Sequence, residues 1–406
     1  VRIRYFADIR FPMERANGVQ TMETCHALAR RGHDVRLLVR PDRFTPGRDP
    51  YAYYGLPPLP HLHIEQVATP SQVTVRRLMY IGQAMRLTFG ARDTDVVLTR
   101  DLGLASMLVG LPPRWRPPIV YESHGFAPAV SAEMPQLHAG APPSGQAKQR
   151  RLDARERRVW RRADAYVTIT AGLARELEGH YGPRPRLAVI ADGTRLPIAP
   201  TADGTAPPGG APETRRDPQA PPVVCYAGHL YPWKGIDLLV EALGAMPHVR
   251  GLVVGGLDGE GDFARVKALA DRVAPNRVTF AGMVDPPRVA ALLSSADILV
   301  IPNLPSRISA AYTSPLKLFE YMASGRPIVA SDLPALREVL RPDHNAVLVE
   351  PGRTETLVAG IQRIVDDPAW GARLATAART DVADYSWEKR AERLEAALTA
   401  AMEARS

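Results

Sequence analysis

The chain has 406 residues, more than one hydrophobic core usually organises, so two domains of roughly 200 residues each are expected. With 45% hydrophobic and 23% charged residues it reads as globular, and the absence of any run of about 18 apolar residues excludes a membrane-spanning helix. The net charge of +8 is built from arginine: among 51 basic residues only Lys148, Lys234, Lys267, Lys317 and Lys389 are lysines, which makes each of them informative. Cys25 and Cys225 lie far apart in apolar contexts and read as core residues of a reduced, cytoplasmic protein. The start, Val1 to Phe6, alternates like a strand, and no signal peptide is expected.

The N-terminal half alternates strand and helix, the pattern of a parallel sheet covered by helices. Residues 2–8 predict a strand, 10–17 a polar turn, and Gly18 opens a helix through Arg31. A glycine there lets a ligand approach the backbone, although the G-x-G-x-x-G fingerprint of a dinucleotide site is missing. Val35 to Val39 is the next strand, and residues 41–72, rich in Pro and Tyr, predict an irregular connection. Thr74 to Ala91 places Leu78, Ile81, Met85 and Leu87 at helical spacing beside Arg76, Arg77, Arg86 and Arg92. A packed helix and a helix lying on an anionic membrane both fit.

Strands at 96–99 and 119–122 flank a helix over 102–110, and His124 follows the second strand in YESH. Ligands of an open parallel sheet gather beyond the carboxyl ends of its strands, so His124 is either a substrate residue or a structural histidine. Residues 127–149 predict a mobile loop. An arginine-rich helix, a strand at 165–169, a helix at 171–181 and a strand at 187–190 complete this half. The expected division is a domain over 1–196, a Pro/Gly-rich linker over 197–222, a domain over 223–386 and a last helix over 387–406.

The second half opens with the strand Val223 to Ala227, which runs into Gly228-His229-Leu230-Tyr231-Pro232-Trp233-Lys234-Gly235 and a helix from Ile236. Strands at 251–254, 278–281 and 298–301 alternate with helices, and Gly255-Gly256 and Gly282-Met283-Val284 close two of them as walls for a nucleobase. In the run from Thr313 to Asp332, Ser314 is the predicted N-cap and Pro315 the first helical residue. Gly325 ends that helix, and Ile328 to Ala330 form a buried strand. Lys317 and Glu320 fit an ordinary i,i+3 pair. They equally fit an anion site, in which N–H groups, the helix dipole and a lysine hold phosphate while the carboxylate accepts from sugar hydroxyls. With Lys234 on a second loop of the same construction, one diphosphate is expected to be clamped from two sides.

Taken together, GHLYPWKG at 228–235, SPLKLFEYMASGRPIVASD at 314–332, NGV at 17–19, YESH at 121–124 and IADG at 190–193 resemble the retaining glycosyltransferases of family 4, over almost the whole chain. The resemblance implies an α/β chain of the GT-B type: two Rossmann-like domains with parallel sheets facing a central cleft. The N-terminal domain would bind the acceptor and the C-terminal domain a nucleotide sugar, with the last helix packing back on the N-terminal domain. It implies transfer of a sugar to an acceptor hydroxyl with retention, without metal or cofactor.

The same resemblance gives His124, Lys234 and Glu320 catalytic roles. Lys234 and the loop Thr313-Ser314-Pro315-Leu316 would hold the diphosphate, Glu320 the ribose, and His124 would line the reaction centre. Gly18 would lie by phosphate and acceptor, and Gly228, His229, Gly282, Met283, Tyr312 and Lys317 complete the donor site. Two positions depart from the family: Tyr312 stands where the earlier of two glutamates is common, and His229 stands where an arginine often follows the glycine. Lys234, helped by Arg307, would then neutralise more of the leaving charge. Expected partners are a nucleotide sugar and a sugar, lipid-linked or small-molecule acceptor. The basic N-terminal helices offer peripheral contact with the inner face of a membrane, and no nucleic acid is expected. Two rival readings use the same residues: a nucleotide-sugar epimerase of the same fold, and a non-catalytic basic protein bound to membranes or nucleic acid.

Overall fold

Short apolar runs that alternate with helices assemble here into two open parallel sheets. The computed structural model describes residues 1–68, 70–89, 93–137, 144–196, 220–257 and 259–405. Two compact units result, one of Val1–Pro135, Gly140–Asp192 and Trp387–Ser406, the other of Gln136–Ala139 and Gly193–Ser386. Residues 197–219 of the expected linker lie outside the described residues.

The first unit carries β1 (Arg2–Phe11), β2 (Asp34–Pro41), β3 (Leu62–Gln66), β4 (Val96–Thr99), β5 (Ile119–Ser123), β6 (Ala165–Thr168) and β7 (Leu187–Val189), in the order β3-β2-β1-β4-β5-β6-β7. The second carries β8 (Val223–Ala227), β9 (Arg250–Val254), β10 (Val278–Gly282), β11 (Ile298–Ile301), β12 (Ile328–Ser331) and β13 (Val347–Val349), in the order β10-β9-β8-β11-β12-β13. Every strand pair is parallel. Both faces of such sheets are covered by helices, which is why β4, β5, β6, β11 and β12 are buried along their whole length. Chain order reverses between β1 and β4 and again between β8 and β11. The loops beyond those carboxyl ends are therefore the places where each unit can take a ligand. No helix among the described residues is long and apolar enough to cross a membrane.

Four expectations need correcting. The first strand continues to Phe11 and the helix after it spans Ala16–Arg30, so Gly18 sits inside its first turn rather than opening it. The stretch 41–72 contains a helix, Pro50–Tyr54, whose N-cap Asp49 accepts from the Ala52 N–H at 2.8 Å, and the edge strand β3. Asp-Pro is a start signal that the surrounding prolines obscured. Of the expected mobile loop, Ala127–Leu137 is helical and Gln146–Arg162 forms the next helix, while 138–143 lie outside the described residues. Pro128 falls in a first turn, where its missing N–H costs nothing, and Pro135 in the last turn. Finally, the helix of the central run is Leu316–Ser324 with Pro315, not Ser314, at the cap position and no side-chain cap. A π-helical turn, Ile308–Tyr312, precedes it.

Candidate active site

In the second unit the site grows from the carboxyl ends of β8 and β11. Gly228 follows β8 with φ of 135°, and a side chain there would bring its Cβ to 3.0 Å from the Lys317 Nζ. Glycine is thus required both for the turn and for the lysine that fills the space. Gly235, with φ of 70°, packs against the chain just after β11: a Cβ would lie 1.8 Å from the Pro302 carbonyl oxygen. These contacts lock the Lys234 loop to the end of β11, and the Leu304 N–H adds a 3.0 Å bond to the Trp233 carbonyl.

Lys317 projects from the first turn of Leu316–Ser324 back under the Gly228 loop. Its side-chain nitrogen lies 3.8 Å from the centre of the Tyr226 ring, is buried, and has no hydrogen-bond partner among the described residues. Tyr226 is held in turn by donating its hydroxyl to the His229 carbonyl at 2.6 Å. The helix is fixed to β8 by the Ala227 N–H, which donates to the Tyr321 hydroxyl oxygen at 2.7 Å. Lys234, half-buried, sits with its ammonium 3.7 Å from the Trp233 ring centre. Burial pushes the Lys234 amine down to about 7. Burial, and after it the charge of Lys234, pushes Lys317 well below the ordinary lysine range, against the opposing pull of Glu320. Two lysines that burial drives toward their neutral forms, with one carboxylate nearby, form a site short of negative charge.

In this second unit, sequence reasoning missed Asn303. Asn303, fully buried just beyond β11 and next to the Gly235 contact, has neither its amide oxygen nor its amide nitrogen hydrogen-bonded among the described residues. Its position two residues past a buried strand was the available signal. The other donor-site expectations have mixed placements. Thr313 donates its hydroxyl to the Ile308 carbonyl at 2.8 Å and is buried, as is Tyr312. Ser314, Pro315 and Leu316 are half-buried at the start of that helix, and Glu320 is half-buried one turn on. The His229 ring stacks on Tyr231 at 5.1 Å, and Gly282 and Met283 are half-buried at the end of β10. Arg307 is exposed.

In the first unit, NGV and YESH are joined by a buried polar network. Glu122, wholly buried on β5, accepts from the His124 Nε2 at 2.5 Å and the Gln20 Nε2 at 2.8 Å with one oxygen, and from the Arg390 Nη2 at 2.8 Å with the other. Arg100, just after β4, donates to Asn17 at 2.9 Å and to Gln20. Burial alone would raise the Glu122 carboxyl, but Arg390 and His124 outweigh it and hold it well below the usual carboxylate range. Burial and then Arg100 lower His124 despite that carboxylate. Since an ionised carboxylate only accepts, His124 carries its proton on Nε2 and keeps a lone pair on Nδ1. Gly18 lies beside this network for packing reasons, since a Cβ there would meet Met13 Cγ at 2.4 Å and Tyr54 Oη at 2.5 Å. Sequence reasoning passed over Gln20, Arg100 and Arg390.

Two family models match the chain: a glycosyl transferase 4-like domain over residues 17–193 and glycosyl transferases group 1 over residues 221–367. The D-inositol 3-phosphate glycosyltransferase of Rhodococcus opacus is 29% identical over 292 residues, 69% of this chain and 61% of that protein. The chain thus spans about three fifths of the length of the curated relatives first matched. Among solved structures, sucrose-phosphate synthase from Thermosynechococcus elongatus shares the fold with a TM-score of 0.76 at 22% identity, covering 97% of each chain. Anabaena HepE in complex with UDP-glucose does so with a TM-score of 0.69 at 19% identity, over 98% of this chain and 99% of that one. With both halves matched in order and both sheets of the GT-B type, the chain belongs to the family 4 glycosyltransferases.

Proposed function

We propose that the chain moves a sugar from a nucleoside diphosphate donor to an acceptor hydroxyl with retention of configuration and without a metal. The observation that carries this reading is the buried side-chain nitrogen of Lys317, without a hydrogen-bond partner among the described residues, beside Lys234. An unpaired buried charge is costly, and a diphosphate is the ligand whose charge would offset two of them. In the transfer step the anomeric C–O bond to phosphate breaks and a bond from the anomeric carbon to the acceptor oxygen forms. The departing phosphate oxygen takes the acceptor proton. Lys234, Lys317 and backbone N–H groups of the Leu316–Ser324 turn stabilise the growing negative charge, so no metal is called for. Glu320 accepts from the ribose hydroxyls, and the Nδ1 of His124 accepts from a substrate hydroxyl.

Support for the donor class comes also from Anabaena HepE, whose complexes hold UDP and UDP-glucose, and for a small polar acceptor from the relatives acting on D-inositol 3-phosphate. The outward arginines of Gln146–Arg162, Arg150, Arg151, Arg155 and Arg158 among them, suit an acceptor held at an anionic surface. Thermal shifts with a panel of nucleoside diphosphate sugars, followed by product analysis with inositol phosphates and other polyols, test the reading. Stabilisation by one donor and a product of retained configuration are expected, with Lys234→Ala losing at least about 100-fold in turnover. Inverted product, or full activity in Lys234→Ala, would refute it.

A further inference from the structure

The last helix, Trp387–Glu403, buries Trp387, Ala391, Leu394, Leu398 and Ala401 against the first unit, and on that same apolar face stands a charged residue, Arg390, only 1% exposed. Its guanidinium reaches the Glu122 Oε2 at 2.8 Å and the Thr24 hydroxyl at 3.2 Å, and its Nε lies 3.9 Å from the Asp192 carboxylate. As a means of seating a helix this is a poor choice, because a buried ion pair is commonly no better than apolar packing. What the pair does accomplish is local. It occupies one oxygen of Glu122, so that the other, steadied by Gln20, is left to hold the His124 Nε2–H two residues on. An oriented carboxylate behind a histidine selects its tautomer and aims its free nitrogen.

We propose that Arg390 is a positioning residue for glycosyl transfer, acting through the Glu122 carboxylate to fix His124 with Nε2 engaged and the Nδ1 lone pair presented to substrate. This rests on the reading of His124 as a transfer residue. The groups facing His124 set the sign of each substitution. Arg100 after β4 is positive, Glu122 on β5 is negative and Asp192 after β7 is an acid that burial keeps toward its neutral form, while Arg390 on the last helix and the uncharged Gln20 act on Glu122. Removing Arg390's charge leaves Glu122 freer to favour the imidazolium. Removing Glu122's charge leaves His124 among cations.

The test is a titration of His124 in the full chain with histidine labelled by 13C at Cε1, its signal assigned from His124→Gln. In Arg390→Met the His124 pKa should rise by roughly one unit, and in the isosteric Glu122→Gln it should fall by a similar amount, the scale of one neighbouring charge. Arg390→Lys should return it toward the parent value, and the pH–rate profile of transfer should move in step. Glu122→Gln preserves volume, so that arm decides the matter even if Arg390→Met does not fold. An unmoved His124 titration in a folded Glu122→Gln or Arg390→Met variant overturns the positioning role and leaves the function standing. Shifted titrations in chains where His124→Gln transfers sugar at the parent rate overturn the transfer role of His124, and the positioning role with it.

Discussion

Lys317 places an amine, driven toward its neutral form by burial, where no hydrogen-bond partner reaches it among the described residues. A methionine there keeps the volume and removes the buried, unsatisfied amine. Lys317→Met should therefore stabilise the ligand-free protein, by about 1–3 kcal/mol, while abolishing the thermal shift caused by nucleotide. Differential scanning calorimetry with and without ligand reads both; a variant less stable than the parent would mean the lysine has a partner. Lys234 gives a pH test. With its amine near 7 in the empty site, it must take up a proton when a diphosphate binds at higher pH. Affinity for inorganic pyrophosphate should fall above pH 7, approaching about tenfold per unit, and a flat profile from pH 7 to 9 would contradict it.

The lysines were legible in the sequence because lysine is so rare in this chain. Asn303 and Arg390 were not, since their meaning depends on burial and on partners far away in sequence: Arg390 and Glu122 are separated by 268 residues. Even so, a charge at the apolar spacing of Trp387, Ala391, Leu394 and Leu398 was a readable sign of a buried partner.

At the level of elements, strand, loop and helix with a lysine near the helix start recur at β8 and at β11, and this was visible because Gly228, Gly235 and Gly325 punctuate short apolar runs. The lock between Gly235 and Pro302 was not, since it is a backbone contact between segments distant in the chain. Gly235→Ala combines a positive φ with a Cβ 1.8 Å from a carbonyl oxygen, so it should cost more than about 3 kcal/mol in urea denaturation. Gly32→Ala, whose Cβ would meet nothing within 4 Å, is the control for the positive φ alone and should cost about 1 kcal/mol. Equal losses in the two variants would show that the contact with Pro302 contributes nothing. Elements hidden by proline-rich composition, Pro50–Tyr54 and Ala127–Leu137, were missed because their stability comes from caps and packing rather than from periodicity.

For the molecule as a whole, the first unit is discontinuous: its sheet is built from residues before Asp192, yet the helix Trp387–Glu403 fills its core. A fragment of residues 1–192 should expose the sites of Leu394 and Leu398 and aggregate or remain molten, and a peptide of residues 387–405 added in trans should restore cooperative unfolding. A stable, cooperatively folded 1–192 fragment would contradict the dependence on that helix. The α/β architecture followed from the alternation of strands and helices, whereas the ligand chemistry rests on two lysines. Calorimetric titration of the full chain with uridine, guanosine and adenosine diphosphates, repeated on Lys234→Ala and Lys317→Met, tests that claim most directly. The prediction is that at least one diphosphate binds and that each substitution weakens it by about 30-fold or more, as expected for a lost charge-assisted contact. Equal affinity in the parent and both folded variants would contradict it.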